Sequence, residues 1–258
     1  MNPSNPMAAF SVAGKVALVT GARREIGRAI ALALAAQGAT LAIHHAGGLE
    51  ETADAAEVVA RIGADRACAF EADFSIDAAG ERLADAVIQK FGRVDILVLN
   101  ASIELPEHYR DISRENFDRQ IAVNLRSPLE LLQKLTPPMA DRGWGRVLTI
   151  GSVQQNLPHP KMLVYAGAKA AQLNWVFNLA RQLGPSGVTV NNLAPGAILT
   201  ARNRDQLQTE GASIVSFTPV GRLGTPEDLI GAALLLCSDA GRYITGANLF
   251  VDGGRNIA

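Results

Sequence analysis

The sequence predicts an α/β fold: a single domain in three layers, with a doubly wound, parallel, seven-stranded sheet and helices on both faces. Short runs rich in Val, Ile and Leu alternate with longer Ala-rich amphipathic stretches, the pattern of repeated strand and helix units. These runs contain few charges, as expected for strands that helices cover on both sides. A length of 258 residues, 48% of them hydrophobic, is enough for one large core.

The predicted strands follow one another at regular spacing. The first is KVALVT, residues 15–20, with a helix to about Gln37; the second is TLAIHH, residues 40–45, with a helix from about Glu50. The others are RACAFEAD, VDILVLN, RVLTIGS, VTVNNLAP and NLFVDGG. Because no repeat or Pro/Gly/Ser linker splits the chain, we expect residues 13–258 to form one domain behind a flexible N-terminal tail of residues 1–12.

Two segments, residues 154–163 and 199–219, fit neither a strand nor a helix. Each follows the carboxyl end of a predicted strand, where open α/β sheets bind their ligands. We therefore expect both to be functional loops.

The composition excludes several classes of partner. With 24 basic and 25 acidic residues, the chain has no electrostatic reason to bind nucleic acid or an anionic membrane. It lacks a signal-like start and any apolar run near the roughly 20 residues of a membrane span, so we expect a cytoplasmic protein with a small-molecule substrate. Cys68 and Cys237 lack zinc-site spacing; we expect two buried cysteines and no metal.

The stretch VTGARREIGRAIALALA indicates a phosphate-binding turn. Gly21 and Gly27 lie where a strand becomes a helix, and there backbone N–H groups and the helix dipole can receive a pyrophosphate if no Cβ blocks its approach. The alternative is that both glycines only tighten the turn. The position on the first strand of an alternating pattern favours a dinucleotide.

The residues that follow favour NADP(H), with NAD(H) possible. Dinucleotide sites that prefer NAD carry an acidic residue about 20 positions on, which accepts the ribose 2′-hydroxyl. No carboxylate lies in the second predicted strand, which ends in His44 and His45, while Arg23 and Arg24 lie in the turn. A 2′-phosphate would meet neutral or positive neighbours, unless the histidines simply end a strand at the surface.

Tyr165 and Lys169 form a candidate catalytic pair. Their spacing of four places both side chains on one face of the helix that the sequence from Val164 to Leu183 predicts. An ammonium beside a phenol should lower the phenol's pKa from about 10, which would make it a usable acid or base. Ser152, at the end of the fifth strand, adds a hydroxyl able to bond a substrate oxygen; alternatively, it caps a loop.

Taken together, these features resemble the short-chain dehydrogenases/reductases, from about Gly14 to Gly254. The resemblance rests on several motifs in one order: TGARREIG, Asp73, LNAS, VNL, GS, YAGAK, NNLAPG and VDGG. It implies a Rossmann-like fold and hydride transfer between a nicotinamide and a substrate carbon.

The resemblance also implies roles for individual residues. Tyr165 would be the general acid/base, Lys169 would lower its pKa and hold the nicotinamide ribose, Ser152 would position the reacting oxygen, and Asn124 would belong to a water-linked proton path to the lysine. Asp73 would face the adenine, Asn100 would line the cleft, and Ile198 and Thr200 would meet the carboxamide and phosphates. The expected cofactor-binding set is Gly21, Arg23, Arg24, Ile26, Gly27, His45, Asp73, Asn100, Tyr165, Lys169, Pro195, Ile198 and Thr200.

Glu25 departs from the family pattern, which commonly has glycine at that position. A carboxylate about 4 Å from a phosphate would cost roughly 4 kcal/mol at an effective dielectric of 20. We therefore expect Glu25 to point away and to pair with Arg24 or Arg28. Glu25 and LNAS are also reminiscent of pteridine-reductase-like branches, which often lack the serine that this chain keeps at position 152, so a pterin substrate is less favoured.

Three functions remain open at this level. Gln154, Gln155, Asn156 and His159 favour a sugar or polyol; we expect His159 to be a surface loop residue rather than a catalytic one. Close relatives of the pattern include 3-oxoacyl-carrier-protein reductases, although the basic position just before GVTV is Ser186 here; Arg142, Arg202 and Arg204 could replace it. A dinucleotide-binding sensor without catalysis is the third.

The resemblance further implies a homotetramer in which the helices around Asn124 and Tyr165 pack between subunits. These helices carry more apolar residues than one buried face requires. The residues in question are Leu129, Leu131, Leu132, Trp175 and Phe177.

Overall fold

In the computed structural model, which describes residues 6–257, seven parallel strands form one sheet in the order β3-β2-β1-β4-β5-β6-β7. The strands are β1 (Val16–Val19), β2 (Thr40–His45), β3 (Ala67–Glu71), β4 (Ile96–Leu99), β5 (Gly145–Ile150), β6 (Val188–Pro195) and β7 (Asn248–Val251). The predicted fold class is confirmed; β2 and β6 have the predicted bounds, and the ends of the other strands differ from the predicted ones by at most three residues.

Helices cover both faces of this sheet. They are α1 (Glu25–Ala36), α2 (Leu49–Ile62), α3 (Ala79–Phe91), α4 (Arg114–Ile121), α5 (Ser127–Asp141), α6 (Leu163–Leu183), α7 (Arg204–Ser216) and α8 (Ile230–Cys237). Helices α1, α2 and α8 share one apolar cluster, and α3, α5 and α6 share another. Along β1, Ala17 and Val19 join the first cluster and Leu18 the second, because successive strand residues face opposite sides.

The strand order reverses direction between β1 and β4. Loops on the two sides of such a switch point diverge and leave a crevice beyond the carboxyl ends of the strands. A cleft of about 520 Å³ lies there and is lined by residues that follow β1, β2, β4, β5 and β6.

Three features differ from the sequence-based expectations. Pro6–Phe10 forms a short 3-10 helix and Val12 is buried in the core, so the predicted flexible tail of residues 1–12 is too long; residues 1–5 lie outside the described part. The segment at 199–219, predicted as a loop, contains α7. Between α4 and α5 the chain makes a π-helical turn, Ala122–Arg126. Within residues 6–257, every helix is too short or too polar to cross a membrane.

Candidate active site

The turn between β1 and α1 packs tightly against the segment that follows β4. Gly21 has a φ of +62°, and a Cβ there would lie 3.0 Å from the Ala101 Cα. A Cβ on Gly27 would strike the Gly21 carbonyl oxygen and lie 2.6 Å from Asn100 Nδ2. Both glycines are therefore required by packing within the chain, and they also leave the N-terminus of α1 open to a ligand.

Asn100 and Thr20 hold this turn in place. Asn100 Nδ2 donates to the carbonyl oxygens of Thr20 at 2.9 Å and Gly21 at 3.1 Å. Thr20 Oγ1 accepts the backbone N–H groups of Asn100 at 2.9 Å and Ala101 at 3.0 Å. The LNAS segment thus packs under the turn and holds it by these hydrogen bonds. Asn100 also lines the cleft, as predicted.

His44 fixes the other side of the turn. Its Nδ1 accepts the Gly21 N–H at 3.0 Å, its Nε2 bonds the Ala72 carbonyl at 2.9 Å, and its ring stacks on Phe74 at 4.3 Å. Burial lowers the pKa of His44 to about 4, so the ring is neutral with its hydrogen on Nε2. The alternative of a surface histidine is wrong for His44, because the ring is buried against Phe74 and the Ala72 carbonyl.

The cleft beside the end of β2 fits part of a nucleotide. His45 is buried and lines the cleft, and its Nδ1 has no hydrogen-bond partner. A buried polar atom without a partner indicates a place where a ligand can complete the bonding. Arg24 and Asp73 line the same end.

Arg23 also lines this end of the cleft, but its charge is already paired. It contacts Glu51 at 2.9 Å and Asp54 at 2.5 Å, and the residue is 8% exposed. Glu51 itself lines the cleft. The neutral and positive residues expected around a 2′-phosphate do line this end, but the first turn of α2 adds a carboxylate that is distant from the glycine turn in sequence.

Ser152, Tyr165 and Lys169 come together at the middle of the cleft. Ser152 follows β5, and α6 presents Tyr165 and Lys169 on one side, both buried. Lys169 Nζ donates to the Ile150 carbonyl at 2.7 Å and lies 5.7 Å from the centroid of the Tyr165 ring. A phenol, a hydroxyl and an ammonium group thus meet at one place, a set of groups that can transfer a proton to or from a substrate oxygen.

Burial dominates the ionisation of this pair. It raises the pKa of Tyr165 to about 12, to which the Glu104 carboxylate adds, whereas Arg202 and the Ser152 hydroxyl act in the opposite direction. Burial, with Arg202, lowers the pKa of Lys169 to about 7. The predicted lowering of the tyrosine pKa by the lysine is therefore not found: the ammonium bonds a backbone carbonyl, and both groups are desolvated.

Asn124 lies in the π-helical turn behind the cleft instead of lining it. Its amide bonds both backbone groups of Ile103, at 3.0 and 2.8 Å. Its own carbonyl oxygen accepts Gln172 Nε2 at 2.6 Å, and Gln172 Oε1 accepts Lys169 Nζ at 3.3 Å. A glutamine amide therefore links Asn124 to Lys169; the water-linked path that the resemblance implies stays a prediction. In the sequence, this contact is indicated only by the spacing of three between Lys169 and Gln172, which places both side chains on one face of a helix.

Glu25 crosses the mouth of the cleft. Its Oε1 accepts the backbone N–H of Ala201 at 3.0 Å, and Arg28 instead pairs with Glu57 at 4.0 Å. The predicted pairing of Glu25 with Arg24 or Arg28 is wrong. The reason is backbone geometry: Glu25 has a φ of +51°, the left-handed conformation that favours glycine, and from there its side chain reaches the opposite lip.

The open end of the cleft is polar. Gln154, His159, Glu104 and Arg202 line it. Gln154 Oε1 is buried without a hydrogen-bond partner, and Arg202 donates to the Ser102 carbonyl at 2.8 Å. His159, expected at the surface, is half-buried, with its Nδ1 accepting the Lys161 N–H at 3.2 Å. This end offers hydroxyl-binding donors and acceptors.

Apart from Asn124, every predicted site residue lines this one cleft. They are Gly21, Arg23, Arg24, Ile26, Gly27, His45, Asp73, Asn100, Ser152, Tyr165, Lys169, Pro195, Ile198 and Thr200. In residues 6–257, no group of three His, Cys, Asp or Glu side chains is placed to hold a metal.

Comparison with known proteins is consistent with this geometry. Residues 21–256 match a family model described as enoyl-(acyl carrier protein) reductase. The chain is 38% identical to an L-rhamnose 1-dehydrogenase (NADP(+)) from Thermoplasma acidophilum, covering 95% of this chain and 97% of that one.

Two solved structures are similar along their whole length. A 3-oxoacyl (acyl-carrier-protein) reductase from Agrobacterium tumefaciens with NADP bound is 36% identical, with a TM-score of 0.89 and 98% of both chains covered. A gluconate 5-dehydrogenase from Burkholderia cenocepacia in complex with NADP and tartrate is 30% identical, with a TM-score of 0.91, covering 98% of this chain and 100% of that one.

We expect His44 to make stability depend on pH. Its pKa falls from about 6.5 to about 4 on folding, so the unfolded chain binds its proton first, and the free energy of unfolding decreases as pH falls from 6.5 towards 4, by about 3 kcal/mol. Urea denaturation across this range would measure it. In His44→Gln that part of the pH dependence disappears, whereas the exposed His108→Gln keeps it; equal slopes in all three proteins would contradict the assignment.

Two substitutions of Glu25 separate strain from bonding. Glu25→Gly and Glu25→Ala both lose the bond to Ala201, but only glycine relaxes the positive φ, so we expect the glycine variant to be more stable by about 1 kcal/mol in urea denaturation. NADPH affinity, by calorimetry, should change less than about tenfold in Glu25→Gly. A gain of about a hundredfold would show that the carboxylate opposes the nucleotide.

Proposed function

This chain belongs to the short-chain dehydrogenase/reductase family, and on that basis we propose that it is an NADP(H)-dependent oxidoreductase interconverting a carbonyl and a secondary alcohol of a sugar or polyol. The meeting of Ser152, Tyr165 and Lys169 in one cleft carries the proposal. The rest of the cleft supports the choice of cofactor and substrate.

Proton handling falls to the chain's own residues. Bound NADP(H) supplies the hydride in reduction and accepts it in oxidation. Tyr165 gives its phenolic proton to the carbonyl oxygen in reduction and takes it back in oxidation, while the Ser152 hydroxyl holds that oxygen. Lys169, held by Ile150 and Gln172, stabilises the negative charge that the phenol oxygen acquires.

Burial of the catalytic pair suits this chemistry. A phenol with a pKa of about 12 stays protonated at neutral pH. Tyr165 therefore holds its proton ready to donate to the substrate oxygen in reduction. Lys169, with a pKa of about 7, can itself exchange a proton near neutrality. Excluding water from the pair strengthens each of these interactions.

Cofactor choice is supported by this chain and its relatives. Arg24 lines the cleft beside the unpartnered Nδ1 of His45, and both suit a 2′-phosphate. The L-rhamnose dehydrogenase relative is named for NADP(+), and both solved relatives hold NADP. NAD(H) stays possible because Glu51 lies at the same end.

The open end of the cleft supports a hydroxylated substrate. Glu104 is half-buried there, and its charge affects both Tyr165 and Lys169. A carboxylate and a guanidinium, with the free acceptor of Gln154, suit the hydroxyls of a sugar better than a plain acyl chain. Arg142 is one of the basic residues considered for docking a carrier protein. It bonds Val94 and Asp95 just before β4, at the amino-terminal ends of the strands, and so cannot dock a carrier at the cleft mouth.

Turnover with a substrate panel tests the proposal. Purified protein with NADPH should reduce keto-sugars, and with NADP+ oxidise the matching sugars or polyols, faster than it acts on simple ketones or 3-oxoacyl thioesters. Tyr165→Phe should lower kcat at least about a hundredfold while NADPH affinity stays unchanged. Tyr243→Phe, at a fully exposed tyrosine, is the matched control.

The panel separates the three functions. Preference for 3-oxoacyl thioesters would favour the acyl-carrier reductase. Tight NADPH binding without turnover of any substrate would favour a sensor.

We also propose a homotetramer. Leu131 and Leu132 lie in the core and Trp175 packs against it, so these three do not need a partner. Leu129 on α5 and Phe177 on α6 are 42% and 48% exposed. Phe117 in α4 and Leu163 in α6 are 45% and 61% exposed. An apolar surface of this kind favours contact with another copy.

Light scattering should give four times the 27.2 kDa chain mass, because the exposed apolar side chains of α4–α6 become buried between copies. Phe177→Asp should lower the mass by opening that contact. Phe217→Asp, at an exposed phenylalanine after α7, should leave it unchanged. A monomer at micromolar concentration would contradict the assembly.

A further inference from the structure

Glu51 reaches the nucleotide end of the cleft through the connection between β2 and α2. Gly47 and Gly48, with φ of +114° and +89°, turn the chain back so that the first turn of α2 lies beside the end of β2. Glu51 Oε2 then accepts the backbone N–H of Ala46 at 2.9 Å. The carboxylate is thereby held beside the end of β2, the strand after which dinucleotide-binding folds carry a ribose-binding acid.

The charges around Glu51 are fixed by ion pairs. Its Oε1 contacts Arg23 at 2.9 Å, and Arg23 also contacts Asp54. Two carboxylates around one guanidinium leave this cluster with a net negative charge. Arg24 lines the cleft and has no acidic partner among residues 6–257.

The two nicotinamide nucleotides differ only at the 2′ position, and they meet Glu51 differently. A ribose 2′-hydroxyl can donate a hydrogen bond to the carboxylate, which is a charge-assisted and therefore strong bond. A 2′-phosphate is repelled by the Glu51 carboxylate and attracted by the Arg24 guanidinium. Arg23 can bind the phosphate only if it breaks its ion pairs with the two carboxylates. The Glu51 side chain is 28% exposed, so beside its contacts with Ala46 and Arg23 the carboxylate can accept a further hydrogen bond from the ribose.

We propose that Glu51 determines how well this protein binds NAD(H) relative to NADP(H): its carboxylate accepts the ribose 2′-hydroxyl of the one and repels the 2′-phosphate of the other. This inference rests on the proposed function for the nucleotide itself. It assigns the discrimination to a residue of α2, supported by the Ala46 and Arg23 contacts, instead of to the end of β2, where His45 stands.

Nucleotide binding tests the inference without needing a substrate. Calorimetric titration of the full chain with NADP+ and NAD+ gives two dissociation constants, and adenosine 2′,5′-bisphosphate and 5′-AMP repeat the comparison without the nicotinamide. Glu51→Gln removes the charge and should raise the preference for NADP+ over NAD+ by at least about tenfold, in both pairs of ligands. Glu50→Gln, the same change at an exposed neighbouring glutamate, should leave the preference within about twofold of the wild type.

A second variant separates the two effects and remains informative if Glu51→Gln does not fold. Asp54→Asn loosens Arg23 but keeps the Glu51 carboxylate, so NADP+ should bind more tightly while NAD+ affinity stays within about twofold. An unchanged preference in Glu51→Gln, or an equal change in Glu50→Gln, would overturn the inference and leave the proposed function intact. Failure of the wild type to bind either nucleotide would overturn both.

Discussion

The hydrogen bonds that hold the turn between β1 and α1 are the constraint on which the rest of the site depends. Gly21 contributes its N–H to His44 and its carbonyl oxygen to Asn100, so one glycine joins β2, β4 and the start of α1. Because parallel strands end at the same edge of the sheet, this joint also sets where the cleft opens. A charged His44 could not accept the Gly21 N–H, and its burial keeps it neutral.

Desolvation sets the ionisation of the two buried side chains in the middle of the cleft. Tyr165 and Lys169 are both buried, and their pKa values move towards the uncharged forms, upwards for the phenol and downwards for the ammonium. Glu104 and Arg202 act on both groups with opposite signs, so a substrate that engages either side chain also changes the proton affinity of the pair. In the proposed reaction, substrate recognition and proton transfer would therefore be coupled through charge as well as position.

Carboxylates hold the two margins of the cleft. Glu25 ties the start of α1 to Ala201, 176 residues along the chain, and Glu51 ties α2 to the end of β2. Glu25 stands where the family commonly has glycine. Glu51 lies in α2, whereas the usual ribose-binding acid of dinucleotide-binding folds lies near the end of β2. Neither contact resembles an ordinary surface pair, because each binds a backbone N–H in a fixed geometry.

The sequence by itself determined the layers, the strands and a set of site residues that, apart from Asn124, all line the cleft. Alternating apolar runs fix a parallel sheet, and motifs that follow successive strands must meet at one edge, as Gly21, Asn100 and Ser152 do. Tertiary structure alone decided the contacts between segments distant in sequence. Spacing cannot show that Glu25 reaches Ala201, that Glu51 neutralises Arg23, or that Gln172 joins Asn124 to Lys169. Those contacts depend on backbone direction and burial, which only the packed chain defines.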